Sequence, residues 1–242
     1  MLSVDITSSA GGTVFDALFW SSVAMVPVLI SAWFGLALLP SRRVSAFFLA
    51  LSAGMLIALL SYDLVQEAYR LAGNGVMLFG FMTGLLVYIG ANQIVAHSGV
   101  GRRCSANCGG ISNLTPLQKK ERKTAMALVI GAALDGIPES MSIGISFLDN
   151  PLVSGSVILA VAVANIPEGL ASGAGLKRSG VSRLRILSVW LGVVVVSVLS
   201  AGLAFVVLKD APDSFKAFIT AFAGGGVTVS YTHLTLPTNS GV

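Results

Sequence analysis

The sequence predicts an all-α protein, a polytopic bundle of membrane-spanning helices. Of its 242 residues, 55% are hydrophobic and only 11% are charged, whereas a soluble domain carries about 25% charged residues. Uncharged apolar segments of about 20 residues, the length that a helix needs to cross a bilayer, recur along the chain. Most basic residues lie in the connections between them, which argues against nucleic-acid binding despite a net charge of +4.

Seven spans are predicted in chain order. The first is the clearest, because no charged residue lies between Asp16 and Arg42. The second continues as a more polar segment as far as Glu67. We expect the spans at residues 17–39, 44–62, 76–96, 124–148, 154–176, 186–208 and 215–229 of a transmembrane domain that covers residues 1–229.

Lysine and arginine indicate the orientation of these spans. The loops after spans one, three and five contain two, six and four basic residues, which is twelve of the chain's fifteen. Because cytoplasmic loops carry the excess of Lys and Arg, we expect these loops inside and the N-terminus outside. The cytoplasmic loop at residues 97–123 contains His97, Cys104 and Cys108. It is either a plain flexible loop or a metal-collecting segment, although one Cys-x3-Cys is a poor zinc signature.

The end of the chain loses its apolar pattern abruptly. Residues 215–229 begin a seventh span, but residues 230–242 continue neither as a span nor as a natural helix stop. We expect this tail to be non-native, translated from sequencing-adapter read-through, and exclude it from fold reasoning. On this interpretation the chain is truncated within span seven, an eighth span is missing, and His233 is not a ligand.

Spans four and five place carboxylates where their surroundings are hydrocarbon. Ala133–Ser140 and Val163–Leu170 each contain a proline followed directly by a glutamate, Glu139 in the first and Glu168 in the second. An ionised side chain at the centre of a bilayer costs about 2.5–3.5 kcal/mol on insertion scales, so such acids face a protein interior or a water-filled path. They are therefore candidate functional residues.

The prolines add backbone oxygens to these segments. Because Pro138 and Pro167 lack an N–H, the carbonyls of Leu134 and Val163 lose their helical partners. A bare carbonyl beside a carboxylate is an arrangement that binds cations. Interrupted helices line the midplane binding sites of many transporters.

Spacing brings the polar groups of each segment to one face. Asp135 and Glu139 are four residues apart, and Asn165 and Glu168 are three apart, so each pair shares a helix face. Measured from a turn at residues 149–151, Glu139 lies about 15 Å and Glu168 about 18 Å along its helix. The two glutamates can therefore meet at one depth.

Each candidate also has a structural interpretation. Glu139 and Glu168 could be protonated acids that tie helices together, and Asp135 could hydrogen-bond within the bundle. Asn165 could be an interhelical amide. Met55 is a soft ligand in one interpretation and ordinary packing in the other.

These residues resemble the ZIP family of divalent-metal transporters. The likeness rests on the two Pro-Glu segments, on Ser52–Ala68 in span two, where Asp63 and Glu67 could attract cations to an entrance, and on Ala221–Gly226 in span seven. It covers nearly all of the chain up to Val229. The resemblance implies an eight-helix fold with an extracellular N-terminus, a metal path through spans four and five, and frequently a homodimer.

Three departures from the family pattern affect the site that the resemblance implies. Asp135-Gly136 stands where the family has His-Asn, Ala164 offers no ligand, and span six has no acid between Arg185 and Lys209. One metal is therefore a more economical expectation than two. The expected ligands are Asp135, Glu139, Asn165 and Glu168, with Met55 as a soft ligand.

The leading functional hypothesis is a non-enzymatic transporter that imports a divalent metal across the cell membrane. The transported substrate is expected to be Zn, Mn or Fe, and no prosthetic group is expected. The other expected partners are the lipid bilayer and a second copy of the chain. Nucleic acid is not an expected partner. A non-transporting membrane scaffold or metal sensor is the alternative. An intramembrane hydrolase ranks lower, since membrane aspartyl proteases use two aspartates whereas the deep acids here are mainly glutamates.

Overall fold

The computed structural model describes residues 12–97, 115–149 and 154–235, and within these ranges the fold is all-α, as predicted. These described ranges contain seven α-helices and one short π-helical turn, Leu60–Val65, and no strand. The α-helices are α1 (Val14–Leu38), α2 (Arg42–Leu59), α3 (Gln66–His97), α4 (Pro116–Asp149), α5 (Ser154–Arg178), α6 (Arg183–Leu208) and α7 (Asp213–Thr235). They correspond in order to the seven predicted spans.

Four segments of the described chain are long and apolar enough to cross a membrane: Val14–Leu38, Arg43–Ala91, Val157–Arg178 and Arg183–Leu208. The second contains both predicted spans two and three. Helices α4 and α7 are less apolar and are not among these four, so their crossing the membrane stays a prediction.

Helix α1 begins at a capping box. The Thr13 hydroxyl accepts from the backbone N–H of Asp16, and the Asp16 carboxylate accepts from the backbone N–H of Thr13. Both bonds satisfy backbone donors that the helix start leaves open. The helix contains Pro27 and ends at Leu39, which adopts the left-handed conformation.

Helices α2 and α3 are joined by the π-helical turn, and α3 bends at Gly73. This glycine has φ 72° and ψ −173°, a backbone conformation that residues with a Cβ seldom adopt. The helical segments of predicted spans two and three therefore meet at a kink at Gly73, beyond the expected end of span two at residue 62. Asp63 lies in the π-helical turn, a type of irregularity often found at functional sites.

Helix α4 begins earlier than span four was predicted to begin. Thr115 and Gln118 form reciprocal backbone-to-side-chain hydrogen bonds at 3.0 and 3.3 Å, and Pro116 fits the first helical position. This cap starts the helix at Pro116 instead of residue 124, so the basic residues before the predicted span form helical turns. Cys104 and Cys108 lie outside the described residues.

Helix α7 extends to Thr235, six residues past the predicted end of span seven at Val229. The first part of the segment 230–242 is therefore helical, and residues 236–242 lie outside the described part of the chain. The proposed non-native origin of this segment stays a prediction.

Contacts at the helix ends agree with the predicted grouping of loops. The Arg178 guanidinium at the end of α5 donates to the carbonyls of Leu39 (3.2 Å) and Pro40, just after α1. At the opposite end of α1, the Gly12 N–H donates to the Phe147 carbonyl of α4 at 3.1 Å. The basic loops after α1 and α5 therefore lie at one end of the bundle.

Small residues allow the helices to pack closely. The most extensive contacts join α1 to α5, α3 to α7 and α4 to α6. At each of these interfaces a glycine faces a backbone carbonyl of the partner helix: Gly169 faces Val28, Gly84 faces Phe222, and Gly144 faces Ala201. Such interfaces are typical of membrane helices. Large apolar side chains on the outer faces of α1, α3 and α6 are exposed, whereas α4 and α5 hold the buried acids.

Candidate metal centre

The four polar candidates lie on the two predicted helices, and all four are buried. Asp135 and Glu139 are on α4, each 5% exposed, and Asn165 and Glu168 are on α5, 5% and 6% exposed. Both helices contain the expected proline within their length. The sequence-based expectation that these acids face the protein interior is therefore met.

The three carboxyl groups on α4 and α5 are near enough to influence one another. Glu139 interacts electrostatically with both Asp135 and Glu168, and Glu168 also interacts with Asp135. Among the described residues, however, no group of three or more His, Cys, Asp and Glu side chains is drawn together closely enough to hold a metal ion. Convergence of all three on one ion would require their side chains to move.

Asn165 is an interhelical amide in this structure. Its Nδ2 donates to the carbonyl oxygen of Ala24 at 3.0 Å and approaches the Met25 sulfur at 3.5 Å. Both partners belong to α1, so the side chain ties α5 to α1. With the nitrogen engaged, the carbonyl oxygen Oδ1 is the atom that Asn165 could offer to a cation.

Met25 is a residue that sequence reasoning missed. It is 1% exposed, and its methyl group lies beside Gly136 of α4 while its sulfur lies beside Asn165 of α5. It therefore bridges the two Pro-Glu segments. The sequence feature that could have drawn attention to Met25 is Pro27, a proline inside an uncharged span. This proline marks α1 as a third interrupted helix.

Serine hydroxyls from neighbouring helices brace the backbone of both segments. Each hydroxyl donates to a backbone carbonyl in the helical turn that precedes a proline. The hydrogen bond limits the movement of the interrupted helix. The pairs are Ser52 to Ala164 (2.8 Å), Ser31 to Asn165 (3.5 Å) and Ser200 to Ile137 (3.1 Å). These hydrogen bonds join α2 and α1 to α5, and α6 to α4.

The remaining candidates lie on α2, in the π-helical turn and at the start of α3. Met55, on α2, is half-buried and packs against the apolar core. Glu67 pairs with Arg70 of the next helical turn through two hydrogen bonds of 2.6 and 2.9 Å. This pair is a local surface contact, whereas Asp63 is partly buried in the π-helical turn.

The chain is similar in sequence to several zinc transporters. The chain is 30% identical over 201 residues to the zinc transporter ZupT of Escherichia coli K12 (DH10B), which covers 81% of this chain and 75% of that protein. The same values hold for ZupT of E. coli O157:H7 (EC4115). The protein belongs to the ZIP family. ZupT of E. fergusonii is 31% identical over 107 residues, 43% of this chain and 38% of that protein. No family model matches the chain.

Packing gives a physical reason for one departure of this ZIP protein from the family pattern. A Cβ at Gly136 would lie 2.6 Å from Ser197 Oγ and 2.9 Å from Met25 Cε, closer than ordinary van der Waals contact. The asparagine of the family pattern would therefore displace side chains on α1 and α6. Glycine at this position matches the close approach of α4 to both helices.

Proposed function

We propose that this ZIP protein is a transporter that carries a divalent metal ion, zinc or a similar ion, into the cell along α4 and α5. The observation that carries this proposal is the set of three buried carboxyl groups on two proline-interrupted helices. Its relatives are named zinc transporters, which supports zinc as a substrate. The proposal makes the protein a transporter and not an enzyme.

Charge balance supports a divalent cation. Three ionised carboxyl groups that interact in a low-dielectric interior repel one another. Burial adds a desolvation cost of several kcal/mol for each carboxylate. A divalent cation between them would offset two of these charges. Glu139 and Glu168, which lie on different helices, would contribute most of the negative charge that balances the ion. Asp135 would contribute the rest.

The donor set favours weak, broad metal binding. Carboxylates and the Asn165 amide offer oxygen atoms, which suit Mn and other hard cations, whereas imidazole favours Zn, Fe, Cu and Ni. We therefore expect manganese to compete with zinc. Glutamate side chains have three rotatable bonds, so modest rotations could bring the acids together on one ion.

The proposed location is the cell membrane with the N-terminus outside. The end of the bundle that holds the loops after α1 and α5 carries their basic residues, and the positive-inside rule places such loops in the cytoplasm.

The family resemblance also implies a homodimer. Light scattering of the purified protein in detergent would detect a mass of twice the 24.9 kDa chain.

The test is radioactive zinc and manganese flux into proteoliposomes that contain the purified chain. Glu139→Gln and Glu168→Gln should each nearly abolish uptake while the proteins remain folded, because each removes a full charge without changing side-chain size. Asn165→Ala should reduce uptake less, since an amide oxygen contributes no net charge. Asp213→Asn is the control, because this carboxylate is exposed at the start of α7 and pairs with Lys216 of the next helical turn. Wild-type flux in the double glutamate variant would refute the proposal.

A further inference from the structure

Tyr88 on α3 is a buried aromatic residue that the site described above does not include. It is 6% exposed, and its ring lies against Gly226 of α7. A Cβ at Gly226 would lie 2.6 Å from Cε2 of this ring, so only glycine at that position lets the ring lie flat on α7. The phenol therefore has a fixed place between α3 and α7.

The hydroxyl of Tyr88 lies near two acids of α4. It interacts electrostatically with Asp135 and Glu139, and Asp135 is the one within its hydrogen-bonding reach. The oxygen is fully buried and forms no hydrogen bond of ordinary length and angle with any described residue. A buried phenol normally finds a hydrogen-bond partner, and the Asp135 carboxylate is the group at hand.

We propose that Tyr88 is a positioning residue for the metal site, whose hydroxyl donates to the Asp135 carboxylate and sets its orientation toward the ion. This inference rests on the proposed transport function. Hydrogen bonds from outer residues commonly fix the direction of a metal-binding carboxylate, and their loss typically lowers metal affinity 10- to 100-fold. The Tyr88 ring, held against Gly226, would place the donor without adding charge.

The placement also explains why a tyrosine suits this position. Asp135 stands where the family pattern has a histidine, and a carboxylate can rotate to present either oxygen. A neutral donor on a rigid ring selects one orientation, since donation to one oxygen directs the other toward Glu139 and Glu168. A phenylalanine would fill the same space on Gly226 but would not orient the carboxylate.

The test compares Tyr88→Phe with the wild type in two measurements on the purified chain: zinc binding by calorimetric titration and zinc flux in proteoliposomes. The expected result is an apparent Kd and KM raised about tenfold, by loss of an orienting hydrogen bond, with the maximal rate changed less than twofold. Tyr69→Phe, at an exposed position on the same helix, is the matched control and should change neither value.

A second background separates orientation of Asp135 from general packing. In Asp135→Asn, the carboxylate that Tyr88 orients is absent, so adding Tyr88→Phe should change the zinc Kd by less than twofold. An equal loss of affinity in both backgrounds, or no loss in either, would overturn the inference while wild-type flux leaves the transporter proposal standing. A wild-type protein that neither binds nor transports zinc would refute the proposed function itself.

Discussion

Gly169 is the position where a single methyl group should separate two helices of the site. It follows Glu168 on α5 and packs against the backbone of α1. An added Cβ would overlap the Val28 carbonyl oxygen and Ser31 Oγ, and would lie 2.9 Å from the backbone nitrogen of Ala32. Two of these three atoms belong to the helix backbone and cannot rotate away, so Gly169→Ala requires α1 and α5 to move apart.

The size of this effect follows from the contacts. Carbon atoms pack at about 3.5–4.0 Å, so the helices must separate by roughly 1 Å. The Asn165 bond to Ala24 is 3.0 Å long, and the same movement would stretch it beyond hydrogen-bonding distance. Overpacking costs about 1–3 kcal/mol, and an interhelical hydrogen bond in a membrane protein about 0.6 kcal/mol on average. We therefore expect a loss of about 2–3 kcal/mol.

The assay is the thermal unfolding of purified Gly169→Ala in detergent, with zinc flux measured in parallel. The expected Tm is about 5–10 °C below that of the wild type, at about 2–4 °C for each kcal/mol in a chain of this size. Gly136→Ala should cost less, because its Cβ would meet the ends of flexible side chains. Gly192→Ala, where a Cβ would meet no atom within 4 Å, is the control. Equal Tm values for Gly169→Ala and Gly192→Ala would refute the packing argument.

Three further results are expected. A membrane-impermeant thiol reagent should label Cys104 and Cys108 only after cells are permeabilised, because their loop carries six basic residues that favour the cytoplasm; labelling of intact cells would reverse the topology. Ser52→Ala removes the 2.8 Å bond to Ala164 and should lower the unfolding free energy by about 0.6 kcal/mol, measured by thermal unfolding; an unchanged Tm would contradict this. Met55→Leu should keep at least half of wild-type zinc flux, since Met55 packs in the apolar core; loss of flux with normal folding would make Met55 a ligand.

The sequence by itself determined the class of the fold and singled out the acids that prove to be buried. Apolar segments of spanning length predicted seven helices, because a membrane requires each backbone polar group to be satisfied within its own segment. The sequence also singled out Glu139 and Glu168, because burying a charge in hydrocarbon is costly. These conclusions depend on local composition and spacing, which one chain displays fully.

Only the tertiary structure decided which helices touch and what each polar atom does. The sequence left Asn165 as either a ligand or an interhelical amide, and its bond to Ala24 on α1 is a contact across 141 positions of the chain. Met25 and Tyr88 looked like ordinary apolar residues of their spans until the fold brought them to Asn165 and Asp135. Lipid and protein interior are similarly apolar, so a spanning sequence does not distinguish the face that meets lipid from the face that meets another helix.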